Sequence, residues 1–161
     1  MTIPTAAVRE LHARTHECLD LVVNHMARLP EDMLLKEVTG FGWSTLREQL
    51  VHVLSAEMAW VQGLQLLPIV RLNAADYSTI DDLREAKRKA MAATIAYLDS
   101  ISEDQFNRNL ERYPAEWMGP QQTPAFILLH IITHAFHHKG QMVAMLRLLG
   151  YPAPETDLQA E

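Results

Sequence analysis

The stretch HIITHAFHHKGQM, residues 130–142, places four histidines in nine positions of an otherwise apolar segment. Histidine is a middling helix former and awkward to bury, so this density asks for a chemical reason. On a helix each residue advances about 100°, which sets His138 about 40° to one side of His134 and His130 about 40° to the other. Imidazoles at i and i+4 can converge on one metal ion. His137 is rotated about 100° from His138 and joins that pair poorly. Gln141 falls on the stripe of His134, where it can orient a ligand. A solitary HxxxH pair on a surface helix is ordinarily just solvated. Here Phe126, Ile127, Ile131, Met142, Met145 and Leu146 mark a packed helix. Several buried imidazoles are more easily satisfied by one shared cation than by separate hydrogen bonds.

A third ligand has two sources in the chain. One is His52, in TLREQLVHVLSAEMAWV; the other is a second HxxxH pair, His12 and His16. The apolar stripe of the first helix centres on Leu11, Thr15 and Val22. His12 and His16 lie about 70–110° from its middle, so they are expected to be mostly exposed. His25 lies nearer the stripe and reads as a core or boundary histidine. His52 is about 130° from the centre of its own helix's inner arc, formed by Leu46, Leu50, Val53, Glu57, Trp60 and Leu64. Periodicity alone does not choose it, although a helix with two neighbours can turn that flank toward the last helix. Glu57, central in the apolar arc, reads either as a paired carboxylate at a boundary or as a buried acid serving the site. It lies about 140° from His52, so the two are not expected to share an ion.

These side chains need helices to hold them. Glycine is scarce, strand-like alternation is absent, and apolar residues recur at helical spacing. The first helix is expected from about Thr5 to Leu29, before Pro30. The second runs from about Thr45 to Leu67, opened by the capping-box pattern TLRE and ended by Pro68. The third runs from about Ile80 to Ile101. A short piece opens with SEDQ at 102–105. RYPAEWMGPQQTP reads as loop, with Trp117 a candidate for the site mouth. Thr123 and Pro124 start the last helix, which runs to about Leu149 and stops at Gly150. The expected fold is all-α, a four-helix bundle in a single domain, 1–161, with a frayed tail at about 152–161.

Composition narrows the function. A net charge of −6 without a basic patch argues against nucleic acid and anionic membranes as partners. No apolar run approaches the roughly 20 residues that span a bilayer. The start of the chain does not read as a signal peptide, and a single cysteine, Cys18, makes no internal disulfide, so a cytoplasmic location is expected. Cys18 itself reads as a small buried hydrophobe. Trp43 and Trp60 read as packing residues. Arg47 and Lys139 read as solvated charges, with a second possibility of meeting an acidic substrate group.

Two blocks, WSTLREQLVHVLSAEMAW at 43–60 and HIITHAFHHKGQMVAMLRLLGYPAP at 130–154, resemble the DinB/YfiT-like family of metal-dependent four-helix-bundle proteins. Members typically show H-x-x-H-H-R-G-Q before a leucine-rich run. Here the run is His134, His137, His138, Lys139, Gly140 and Gln141, with Lys in place of the usual Arg. The resemblance implies up-down-down-up topology and a metal, commonly zinc or nickel, bound by His52, His134 and His138. It also implies frequent homodimers, and in some relatives transfer or isomerisation chemistry with a low-molecular-weight thiol cosubstrate such as bacillithiol, mycothiol or glutathione. Three imidazoles leave a divalent ion with open positions. The leading expectation is therefore a metal-dependent thiol S-transferase acting on a small-molecule substrate. The alternatives are a metal-dependent hydrolase, with Glu57 as a candidate base, and a non-catalytic metal-binding stress-response bundle. Glu57 and Lys139 are the candidates for a catalytic group.

Overall fold

The computed structural model describes residues 2–111 and 122–158, so Trp117 lies outside the described residues. Among them the chain is helical, with no strand. The long helices are α1 (Thr5–Met26), α2 (Leu46–Leu64), α3 (Ile80–Ser100) and, after the one-turn α4 (Glu103–Phe106), α5 (Pro124–Leu148).

Their starts follow the sequence chemistry. Thr45 Oγ1 accepts from the Glu48 amide and the Glu48 carboxylate accepts from the Thr45 amide, both at 3.1 Å. Thr79 with Asp82 and Ser102 with Gln105 repeat this box before α3 and α4. Each box satisfies two donors that a helix N-terminus leaves unpaired. Thr123 caps α5, with Pro124 in its first turn. Past the end of α5, Gly150 takes φ +89°, where a side chain would strain the backbone. Two helices stop short of their expected ends. After Met26 the chain tightens into i→i+3 turns, with Arg28 bonded to His25 and Leu29 to Met26. After Leu64 it reverses through Leu66 at φ 57°.

The principal contacts join α1 and α2 each to α3 and α5. The core they enclose has two parts. One holds Leu19, Val22 and Met26 of α1, Leu46, Leu50 and Leu54 of α2, Leu83 and Ala90 of α3, and Met142, Met145 and Leu146 of α5. The other holds Val8, Val61, Tyr97, Leu98, Ile127 and Ile131. Each fully buried large aliphatic side chain contributes roughly 1.5–3 kcal/mol. Between the two parts, buried polar residues interrupt the apolar run: His12 and His16 on α1, Glu57 on α2 and Thr94 on α3.

Within the described part of the tail, which ends at residue 158, some residues pack on the bundle. Thr156 is buried, its carbonyl accepts a hydrogen bond from Lys139 Nζ, and the Cys18 thiol faces the Asp157 carbonyl at 3.9 Å. A buried ammonium must find an acceptor, and the tail supplies it. Lys139 also lies over the Phe136 ring, 4.3 Å from its centroid. It is not a solvated charge: its ammonium is held by the tail. No described helix is long and apolar enough to cross a membrane.

Candidate metal centre

His134 and His138 stand one turn apart on α5, with ring centroids 4.5 Å apart. The flank of α2 that periodicity could not assign does turn toward α5. It brings the His52 ring to 4.9 Å from His134 and 4.6 Å from His138. One nitrogen from each ring lies within 4.8 Å of the others. The Nε2 atoms of His52 and His134 are 3.1 Å apart. Ligand atoms around a four-coordinate ion with bonds near 2.0–2.1 Å stand about 3.3 Å apart, so this spacing suits one divalent cation.

A residue that sequence reasoning did not select fixes the third ring. Gln49 is fully buried, and its Nε2 donates to the Trp43 carbonyl at 2.8 Å. Its Oε1 therefore faces His138 as an acceptor, and His138 Nδ1–H donates to it at 2.7 Å. The proton is thus held on Nδ1, and the Nε2 lone pair is free to bind a metal. Such a partner sets ring orientation and raises ligand basicity. The signal in the sequence was a glutamine three residues before His52, on the same helix. Trp43, which read as packing, stacks on His52 at 4.6 Å and 26°.

Electrostatics keep the rings neutral. Burial, then the neighbouring His138 and Arg71, pushes His52 down to about 4 from 6.5. Burial, then His138 and His52, pushes His134 down to about 3. His138 is lowered as well, by burial and by His137. Neutral imidazoles are the form that ligates. Beside His52 lies a cavity of about 320 Å³, lined by Trp43, Val51, Ser55, Arg71 and Leu72. His52 is the member of the trio that lines it.

The other histidines of α5 stay outside the trio. His130 is exposed, edge-on to Trp60 at 5.0 Å. His137 is exposed and accepts from Gln141 Nε2 at 3.0 Å, so Gln141 orients His137 directly. Arg47 is half-buried, and its Nε has no hydrogen-bond partner among the described residues.

The exposure expected of His12 and His16 is corrected. His12 and His16 are not exposed: they are 1% and 2% accessible. Glu57 is not at the histidine trio. It is 3% accessible and turned toward α1, as its 140° offset from His52 requires. It accepts from His12 Nε2 at 2.7 Å, from His16 Nε2 at 3.1 Å and from Thr94 Oγ1 at 2.6 Å. Burial alone would raise its pKa; the bonds from His12 and His16 outweigh that and hold it well below the usual carboxylate range. The apolar stripe could not reveal this. A buried polar residue is recognised only through its partner, and these partners are 45, 41 and 37 positions away in the chain.

The model of the DinB family matches residues 9–161. The chain is 30% identical over 122 residues to the uncharacterized protein YizA of Bacillus subtilis (strain 168), covering 76% of this chain and 75% of that one. It is 22% identical over 144 residues to Protein DinB of the same organism, covering 84% and 82%. Among solved structures, a conserved protein from Enterococcus faecalis superposes with TM-score 0.68 at 17% identity, covering 93% of this chain and 99% of that one. A DinB family member from Shewanella denitrificans superposes with TM-score 0.61 at 17% identity, covering 98% and 90%.

Proposed function

The chain belongs to the DinB family, and from that premise we propose that it is a metal-dependent transferase in which His52, His134 and His138 hold one divalent cation, zinc or nickel. The observation that carries the reading is the convergence of three neutral imidazoles beside a cavity, with the Nδ1 proton of His138 anchored on Gln49. Three protein ligands would leave a coordination position free, and the ion would supply the acidity that lets a thiol lose its proton there. The cosubstrate is a low-molecular-weight thiol whose sulfur would attack a small electrophile and displace its leaving group, which departs with the electron pair of the broken bond while the thiol proton passes to solvent. Gln49 keeps His138 in its ligating tautomer, Trp43 holds the His52 ring plane, and Glu48 and Arg71 place charges of both signs on the cavity wall.

The proposal extends to topology and setting. An up-down-down-up bundle is supported by the order of the core parts. α1 and α5 meet the Val8–Ile127 part first along the chain, whereas α2 and α3 meet the Leu46–Leu83 part first. The chain works in the cytoplasm as a homodimer, away from membranes and nucleic acid, which its negative charge supports. Glu57 faces His12 and His16 rather than the trio, so a hydrolase would need a base other than Glu57, such as a loop residue.

Tag-free protein, analysed for metals and assayed with a panel of thiols and electrophiles, tests the reading. Thiol-dependent turnover that disappears on chelation and in His52→Ala, His134→Ala and His138→Ala is expected. Turnover unchanged by chelation overturns it. A metal-dependent rise in melting temperature without turnover of any substrate favours the non-catalytic metal-binding bundle instead.

A further inference from the structure

We infer that His12, His16 and Glu57 form a second divalent-cation site, closed inside the bundle and independent of the three-histidine centre. The donor atoms already converge: one from each residue lies within 4.8 Å of the others, and all three side chains are buried. The spacings of 2.7 Å from His12 Nε2 and 3.1 Å from His16 Nε2 to the carboxylate approach the roughly 3.3 Å between ligands on a four-coordinate ion. A small outward adjustment of the rings admits the ion. Thr94 Oγ1, 2.6 Å from Glu57 Oε1, holds the carboxylate from the α3 side, as an outer partner does at a metal site.

Charge and ligand type support the same reading. The triad buries a carboxylate, whose charge is costly without compensation. A divalent cation compensates it at the point where the ring nitrogens and the carboxylate meet. Two imidazoles and a carboxylate suit zinc and its transition-metal neighbours and disfavour calcium or magnesium. Ring and carboxylate ligands enclosed by three helices leave no route for a substrate, so the site is structural.

The experiment counts cobalt in tag-free protein expressed in cobalt-supplemented medium, so that the buried site loads during folding. The background is His52→Ala/His134→Ala/His138→Ala, which leaves the triad intact. One cobalt per chain, with an intense visible band of low coordination number, is expected. Adding Glu57→Gln to that background removes it, and His16→Gln serves the same purpose where Glu57→Gln does not fold. No cobalt in the three-alanine chain, or cobalt undiminished by either added change, overturns the inference.

Discussion

α2 carries His52 on the flank that meets α5 and Glu57 on the face that looks across the core to His12 and His16 of α1. The two centres so made have the same plan, an HxxxH pair on one helix and a single group from α2, yet opposite surroundings. In the first, His52 and His134 are half-buried, His52 lines a cavity and His138 is buried, with no carboxylate among the three. In the second, every member is at most 3% accessible, and a carboxylate receives both rings. The difference teaches that histidine spacing alone does not define a role. Access and the presence of a counter-charge decide whether such a cluster awaits a ligand or fastens helices together.

Substitution should separate the two most sharply. Glu57→Ala leaves buried donors without their acceptor and should cost about 3–5 kcal/mol in urea unfolding, as breaking a buried pair does. His134→Ala in metal-free protein should stay within about 1 kcal/mol of the parent, because it removes a ring that is desolvated without a counter-charge. Equal losses at the two positions would erase the contrast. Next in size is the effect of metal on the open centre. With free zinc at a thousand times its dissociation constant, the chain should gain about 4 kcal/mol, and a chelator added to the folded protein should remove that gain. The His134→Ala/His138→Ala chain should show no response to the chelator.

Smaller changes probe the supports. Gln49→Leu should weaken metal binding at the trio roughly 10–100-fold, measured by competition with a chromophoric chelator, by releasing His138 from its tautomer. Thr94→Val removes one of the donors to Glu57 and should cost about 1 kcal/mol, with no effect on the trio's metal affinity. Acid should act on the centres in two windows. His52 and His134 ionise at about 4 and 3 in the folded chain, against 6.5 when free, so the unfolded chain gains protons first. Metal-free stability contributed by the trio is full above pH 6.5 and declines below it toward pH 3. The Glu57 contribution is present above its ordinary 4.5 and declines only below that. Urea midpoints from pH 8 to pH 3 should show both declines, and His134→Ala/His138→Ala should remove only the upper one.

Most of the helices were legible because apolar spacing, capping boxes and terminal Pro and Gly residues are local signals. His134 and His138 were legible for the same reason, since their pairing lies within one helix. His52 was not fixed by periodicity, because its orientation depends on which neighbours α2 touches; the family resemblance selected it. His12 and His16 were misjudged because a stripe drawn through Leu11, Thr15 and Val22 treats imidazoles as outward-facing. Glu57 in an apolar arc and Thr94 on the inner face of α3 were the clue that inward polar groups were seeking one another. Lys139 was misjudged because its acceptor is a backbone carbonyl in the tail, and no side-chain pattern advertises a carbonyl.

That α2 serves both centres constrains what evolution or engineering can do to it. One residue inserted between positions 52 and 57 would swing either flank about 100° away from its partners. Each centre thereby sets the register of the other, and length changes in that helix are confined to its two ends.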